Sequence, residues 1–294
     1  MIKPFHYKTF SDSFKELSLD LGEHFTYNVI MRIVIITQED PFYMPIFFSY
    51  FFEELKKSGR NVDVAGVVIQ DSLGKKSLIA FVKSMMDFYG LFHFILHSVK
   101  YLWIKAGKLL NEANLLPKSF SIEYFVRSND CKILGYKNVN SPEFIKFIKE
   151  AGVDLIVSVA ASQIFEKELL VTPRLGCINI HNAPIPDYRG MLPSFWQMYF
   201  GEEYSVLTIY KMSEKLDRGM VILQDKTRIE EGMTLDELIK ITKRKSATAL
   251  VKVLGMFKDG EVKYAMPSAG TGSYYSFPTK NDVKEFKKMG HRII

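Results

Sequence analysis

Four short runs of β-branched and apolar residues constrain this chain most: Met31 to Thr37, Val62 to Ile69, Val153 to Ala160 and Cys177 to Ile180. The first reads Met-Arg-Ile-Val-Ile-Ile-Thr, with almost no polar alternation. A strand that is apolar on both sides must be covered on both sides, and that is the signature of a helix-covered parallel sheet. The segments between the runs have helical spacing. Tyr43 to Lys57 stops at Ser58-Gly59, and Ser141-Pro142-Glu143 opens a helix that runs to Glu150 and ends at Gly152. Strand, helix and strand in this order give a right-handed crossover and a parallel pair.

The pattern predicts an α/β architecture, a Rossmann-like open and mostly parallel sheet with helices on both faces and a short C-terminal tail. Further strands are expected at Ile122–Val126, Ser205–Met212, Met220–Ile229 and Val262–Ala265. Further helices are expected at Glu166–Val171, at Ser194–Phe200 and from Thr234 to about Phe257, where Glu237 completes a capping box. The expected organisation is an extension over 1–30, with a short helix at Ser13–Leu19, a catalytic domain over 31–260 and a strap over 261–294. A helical insertion at about 76–115 interrupts the domain. Composition agrees with a folded domain, at 47% hydrophobic and 24% charged residues. The net charge of +6 suits an anionic substrate, a nucleic acid, an acidic membrane surface or simply a basic solvated exterior. Cys131 and Cys177 read as reduced thiols of a cytoplasmic protein.

The insertion, Leu78 to Leu115, is rich in aromatics and carries Lys83, Lys100, Lys105 and Lys108. One reading packs it as one or two helices on the domain or against a second subunit. A sharper reading lays it on a membrane surface, lysines toward anionic lipid. Its charges leave no run of the roughly 20 apolar residues that a spanning helix needs. His93 and His97 share a helix face, but no further metal ligands accompany them, so they are expected to be structural or solvent-facing.

The chemistry gathers around Gly176-Cys-Ile-Asn-Ile-His-Asn-Ala-Pro-Ile-Pro-Asp-Tyr-Arg-Gly190. Asn179 and His181 point to one side of a strand, and the breakers Pro184, Pro186 and Gly190 force an irregular loop behind them. Asp217 follows before a turn glycine, Gly219. An amide donor, an imidazole and a carboxylate without a nucleophile suit direct attack of an amine or water on a carbonyl, with the oxyanion stabilised by the protein. Cys177 lies one step deeper and nothing cationic near it in the sequence would activate it, so it is expected to be structural. Each residue taken alone also fits a plain structural role. The loop Gln38-Glu-Asp-Pro41 has no glycine, so no phosphate-cradling turn is expected after the first strand.

Asn179-Ile-His181, Pro186-Asp-Tyr-Arg-Gly190 and Leu216-Asp-Arg-Gly219 together resemble the folate-dependent formyltransferase family, which includes methionyl-tRNA, glycinamide ribonucleotide and sugar-nucleotide formyltransferases. The resemblance implies Asn179, His181 and Asp217 as the catalytic trio and 10-formyltetrahydrofolate as co-substrate. It implies a pterin slot formed by Ser162, Gln163, Ile164 and Phe165, flanked by Glu214, Lys215 and Leu216. No metal is implied. The acceptor would be a primary amine. The tail from Glu261 is about 30 residues, too short for a second core-bearing domain. An amino sugar, nucleotide-linked or free, is therefore expected ahead of a charged tRNA. A formyltetrahydrofolate hydrolase and a non-catalytic folate- or partner-binding protein are the alternative readings. One departure is His181-Asn-Ala-Pro-Ile-Pro186, where the family often reads His-x-Ser-Leu-Leu-Pro.

Overall fold

The structure is a computed structural model and describes residues 30–71, 77–112, 121–214, 219–267 and 272–294. The expected helix at Ser13–Leu19 lies outside the described residues. The chain runs β1 (Met31–Gln38), α1 (Met44–Ser58), β2 (Val62–Gln70), α2 (Leu78–Tyr89), α3 (Leu91–Glu112), α4 (Ile122–Ser128), β3 (Ile133–Leu134), α5 (Pro142–Glu150) and β4 (Leu155–Val159). It continues through α6 (Lys167–Val171), β5 (Cys177–His181), β6 (Arg189–Gly190), α7 (Pro193–Tyr199), β7 (Tyr204–Lys211), β8 (Met220–Arg228), α8 (Leu235–Asp259), β9 (Tyr274–Tyr275) and α9 (Lys280–Lys288).

Seven strands form one sheet in the order β3-β2-β1-β4-β5-β7-β8. The pairs from β3 to β5 are parallel, and β7 and β8 join antiparallel. The chain first builds outward from β1 to β2 and β3, then returns to lay β4 on the other side of β1. A reversal of this kind opens a crevice at the carboxyl ends of the strands on either side of it.

Successive residues of the central strands feed two cores, which is why the sequence shows runs rather than alternation. Ile33, Ile35, Leu155, Val157, Ile178 and Ile180 pack under α1, α4 and α8. Val34, Ile36, Ile156 and Cys177 pack under α5 and α6. Phe47, Phe48, Phe51 and Phe52 of α1 are all buried. Each such ring contributes roughly 1.5–3 kcal/mol on burial. Gly59, at φ 60°, caps α1 in the left-handed conformation that a glycine adopts without strain.

Three expectations change. Ile122–Val126 is helical, not a strand: Ser121 Oγ accepts from Tyr124 N at 3.2 Å, and Ile122 and Val126, one turn apart, are both buried. The β-branched residues there fill one side of a short helix instead of alternating. Val262–Ala265 reduces to a single bridge, with Ala265 and Val221 exchanging backbone bonds at 2.8 Å. The strap ends in a helix, α9, opened by a capping box between Thr279 and Asp282. Its polarity hid it from the sequence reading, because Val283 and Phe286 are its only residues that reach the interior.

Those two residues join a third core with Phe88, Phe195, Trp196, Leu235, Leu238 and Ile293. Phe286 stacks on Phe195 at 4.5 Å and so fastens the strap to α7. Phe286→Ala is expected to cost about 3–5 kcal/mol, as for other fully buried aromatic truncations. Urea denaturation followed by circular dichroism would measure it.

Candidate functional site

Strand β5 is buried throughout except at Asn179, which is half-buried, while His181 at its end is 8% exposed. Burial of two polar side chains on a central strand needs hydrogen-bond partners. The antiparallel register supplies the first. Asn179 lies opposite Tyr210 of β7, and its Nδ2 donates to the Tyr210 hydroxyl at 2.8 Å. The other N–H of that amide remains for a ligand. His181 Nε2 lies 3.1 Å from the Tyr188 carbonyl oxygen. A carbonyl only accepts, so Nε2 carries the hydrogen. That bond fixes the ring's orientation and leaves Nδ1 on the other side of the imidazole.

The loop between β5 and α7 aims that carbonyl. Ile185–Pro186 is a cis peptide, and Tyr188 takes φ 54°, the left-handed region. A tyrosine there is strained and must be held by its surroundings. Its N–H donates to Ser273 Oγ at 2.8 Å, and its hydroxyl donates to Glu202 Oε1 at 2.6 Å. Its ring stacks on Tyr275 at 5.8 Å. The strap thus clamps the loop, with Arg189–Gly190 pairing in parallel with Tyr274–Tyr275. Gly190 cannot be replaced there, since a Cβ would sit 2.2 Å from the Tyr275 carbonyl oxygen.

Asp217, with Lys215 and Leu216, lies outside the described residues. Their flanks are placed. Lys211 pairs with Met220, and the chain leaves β7 alongside the first residue of β5, where Met212 N donates to the Cys177 carbonyl at 2.8 Å. Gly219 is buried against the Lys211 carbonyl, with no room for a side chain. Glu214 reaches Lys167 at 3.9 Å and brings this connection to the first turn of α6, just behind Ser162–Phe165. That segment follows β4, the neighbour of β5. Ser162 N and Oγ both donate to Gln70 Oε1, at 2.8 and 3.1 Å. Gln163 is tied at both ends of its amide, to Val139 N at 3.0 Å and Lys137 O at 2.6 Å. Phe165 is a core residue at 3% exposure, whereas Ile164 is 69% exposed and holds its apolar side chain outward.

Other groups are accounted for by the fold. Asp40 Oδ1 accepts from Phe42 N and Tyr43 N at 3.0 and 3.1 Å, so the chain's own carboxylate satisfies the backbone donors ahead of α1. Burial raises the Asp40 carboxyl above its ordinary range and lowers the Lys243 ammonium, while the opposite charges of the two partly offset this. His97 stacks on Tyr89 at 4.5 Å, and its pKa is lowered by burial and by Lys100; His93 is exposed. Among the described residues no cluster of His, Cys, Asp or Glu could hold a metal ion. Tyr188 and Tyr210 are the partners that the sequence reading did not assign. The motif contains Tyr188 but not the direction of its carbonyl, and only strand register brings Tyr210 to Asn179.

Burial pushes the Cys177 thiol far above its usual range, and burial with nearby Asp63 pushes Cys131 to about 11. Cys177 is expected to resist iodoacetamide near neutral pH until the protein unfolds, and Cys131 to label slowly; intact-mass kinetics would check both. Tyr210→Phe is expected to cost about 0.5–1.5 kcal/mol in chemical denaturation, one net hydrogen bond.

Comparison with known proteins bears on the family of the chain. The family model described as Formyl transferase matches residues 106–254, just over half of the chain. The methionyl-tRNA formyltransferase of Clostridium acetobutylicum is 38% identical over 141 residues, which are 48% of this chain and 46% of that protein. The chain spans about half the length of the curated relatives it matches. The glycinamide ribonucleotide transformylase 1 of Symbiobacterium toebii aligns with TM-score 0.55 at 13% identity, covering 81% of this chain and 95% of that one. A sugar 3N-formyl transferase solved in the presence of dTDP and 5-N-formyl-THF aligns with TM-score 0.50 at 15% identity, covering 90% of this chain and 83% of that one. These two structural likenesses speak for the fold alone. With the sheet and the family match in agreement, the chain belongs to the formyl transferase family.

Proposed function

We propose that the protein transfers the formyl group of 10-formyltetrahydrofolate to a primary amine. The observation that carries this reading is the fixed pair on β5, Asn179 Nδ2 bound to Tyr210 and His181 Nε2 bound to the Tyr188 carbonyl. Each side chain is held by one hydrogen bond and keeps a second polar group for a ligand, the other Nδ2–H of Asn179 and Nδ1 of His181. Preorganised donors of this kind stabilise charge that develops on a carbonyl oxygen without reorganising at the moment of reaction.

The folate co-substrate brings the formyl group. The exposed Ile164, in the segment that follows β4, offers an apolar surface of the kind a pterin ring would cover. Glu214, Lys215 and Leu216 would flank the same slot, and Ser162 and Gln163 hold its backbone in place through Gln70 and the 137–139 segment. The amine nitrogen attacks the formyl carbon, and the carbonyl oxygen takes the negative charge. Asn179 donates its remaining N–H to that oxygen, and charged His181 supports it. The bond from the formyl carbon to the folate nitrogen then breaks, and the proton lost by the amine goes to that nitrogen. Asp217 would assist this proton transfer.

The acceptor is a primary amine on an amino sugar, free or nucleotide-linked, or the aminoacyl end of a charged tRNA. The relatives at over 30% identity carry the tRNA name. The self-capped turn at Asp40 argues against an acceptor phosphate held at the start of α1. A mass-spectrometric screen of amino sugars, sugar nucleotides and methionyl-tRNA should find one acceptor that gains a formyl group while tetrahydrofolate appears. Folate turnover without any acceptor would instead identify a hydrolase.

Asn179→Ala is expected to lower kcat by about 10²–10³, the loss typical of one oxyanion donor. His181→Ala and Asp217→Ala are expected to lower it by about 10²–10⁴. Steady-state kinetics with the identified acceptor would check these, and full activity in both charged-residue variants would remove the trio from the mechanism.

A further inference from the structure

The insertion that the family chemistry leaves unused carries the largest apolar exposure of the described residues. Leu91, Phe92, Ile95, Leu96, Val99, Leu102 and Trp103 of α3 are each between 51% and 70% exposed. Their spacing of i, i+3, i+4 and i+7 makes one continuous stripe, roughly 140° of the helix circumference at about 100° per residue. A soluble monomer rarely leaves so many large apolar side chains together in water.

The opposite side of α3 faces the domain and is half-buried. His97 stacks on Tyr89 and meets Phe42 edge-on at 5.2 Å. Phe94, Tyr101 and Ile104 are half-buried on that same side. Helix α2, in turn, is pinned by Phe88, which packs on Phe277 at 5.2 Å and Phe195 at 6.0 Å. The stripe is therefore presented outward, with the other side of α3 turned to the domain. α2 extends the apolar surface with Ile79, 82% exposed, and Met86, 38% exposed, around the exposed Lys83.

Charge decides what covers it. Lys100 falls on one flank of the stripe and Lys105 on the other. The Lys100 ammonium sits over the Phe42 ring at 5.5 Å and the Lys105 ammonium over Tyr101 at 5.0 Å, so both long side chains lean toward the domain-facing side while their positions border the stripe. From Leu91 to Leu110 there is no Asp or Glu. A second copy seated on this face would set the same apolar stripe and the same α3 lysines against themselves, and the carboxylates within reach, Asp87 beside Lys83 on α2 and Glu39 near Lys105, are fewer than those lysines and lie only at the margin. A bilayer with anionic headgroups matches both components. Acyl chains meet the stripe, phosphates meet the flanking lysines, and Trp103 sits at the depth where tryptophan is favoured. Among the described residues no helix is long and apolar enough to cross a membrane, so the contact is one of lying on the surface.

The geometry points to the outer face of α3, extended by α2, as a docking surface for an anionic lipid bilayer. The full chain is expected to co-float at low salt with vesicles of phosphatidylcholine and phosphatidylglycerol, and much less with phosphatidylcholine alone. The chain has two tryptophans, and Trp196 is only 7% exposed, so a blue shift of emission on adding anionic vesicles reports on Trp103. Leu102→Asn with Trp103→Asn should lower partitioning on the order of tenfold or more, and Lys100→Glu with Lys105→Glu should do likewise while removing the preference for anionic lipid. The replaced positions are exposed, and unchanged thermal melts would certify folding. Absence of co-flotation with anionic vesicles at low salt would overturn the proposal. So would undiminished flotation of both double variants. Sedimentation velocity showing a dimer that Leu102→Asn/Trp103→Asn dissociates, with no vesicle binding, would give the face to a second copy and overturn it as well.

Discussion

Everything at the site depends on two polar side chains being carried by a strand whose neighbours are apolar on both faces. Ile178 and Ile180 go to one core and Cys177 to the other. That leaves Asn179 and His181 as side chains that the interior accepts only with partners. The partners found are a tyrosine hydroxyl and a backbone carbonyl. Neither competes for the whole of its side chain: Asn179 keeps one N–H, and His181 keeps its other ring nitrogen. The cores thus fix where these groups sit, and their hydrogen bonds fix how they point.

The His181 partner comes at a conformational cost that is met from outside the sheet. Tyr188 is in the left-handed region, and Leu192, at φ 52°, is too. Such residues persist when the surrounding structure leaves them no alternative. Here the surroundings are Ser273, Glu202 and Tyr275, two of them on the strap. The strap is itself anchored through Phe286 in the core that α7 and α8 share. A chain of ordinary contacts therefore runs from a C-terminal helix of low hydrophobicity to the orientation of one imidazole.

The α2–α3 pair shows the opposite economy. Its inner face is occupied by aromatic contacts with Phe42, Phe195 and Phe277, and its outer face is left apolar. A helix with apolar residues on both sides and lysines at the borders is over-supplied for packing on one domain. The sequence showed this as an aromatic-rich stretch that was hard to place. Only the burial of one side separated the residues that hold the helix down from those that face outward.

How much could be read beforehand follows from the range of the interactions involved. The α/β class, the parallel strands and most helices were legible because they rest on local pattern: apolar runs, the Ser141 and Thr234 caps, and the glycine stop at Gly59. The Asn179–His181 pair was legible because strand periodicity puts residues two apart on one side. Ile122–Val126 was misread because β-branched residues suit either a strand or one side of a short helix, and the Ser121 cap decided it. Helix α9 escaped because two buried residues make too faint a period. What the sequence by itself determined was which residues had to be inside and which two polar groups went with them. Tertiary structure alone decided their partners. Tyr210 lies 31 positions from Asn179, and Ser273 lies 85 from Tyr188. Contacts at such separations are set by strand register and by the docking of the strap, and no local pattern encodes either.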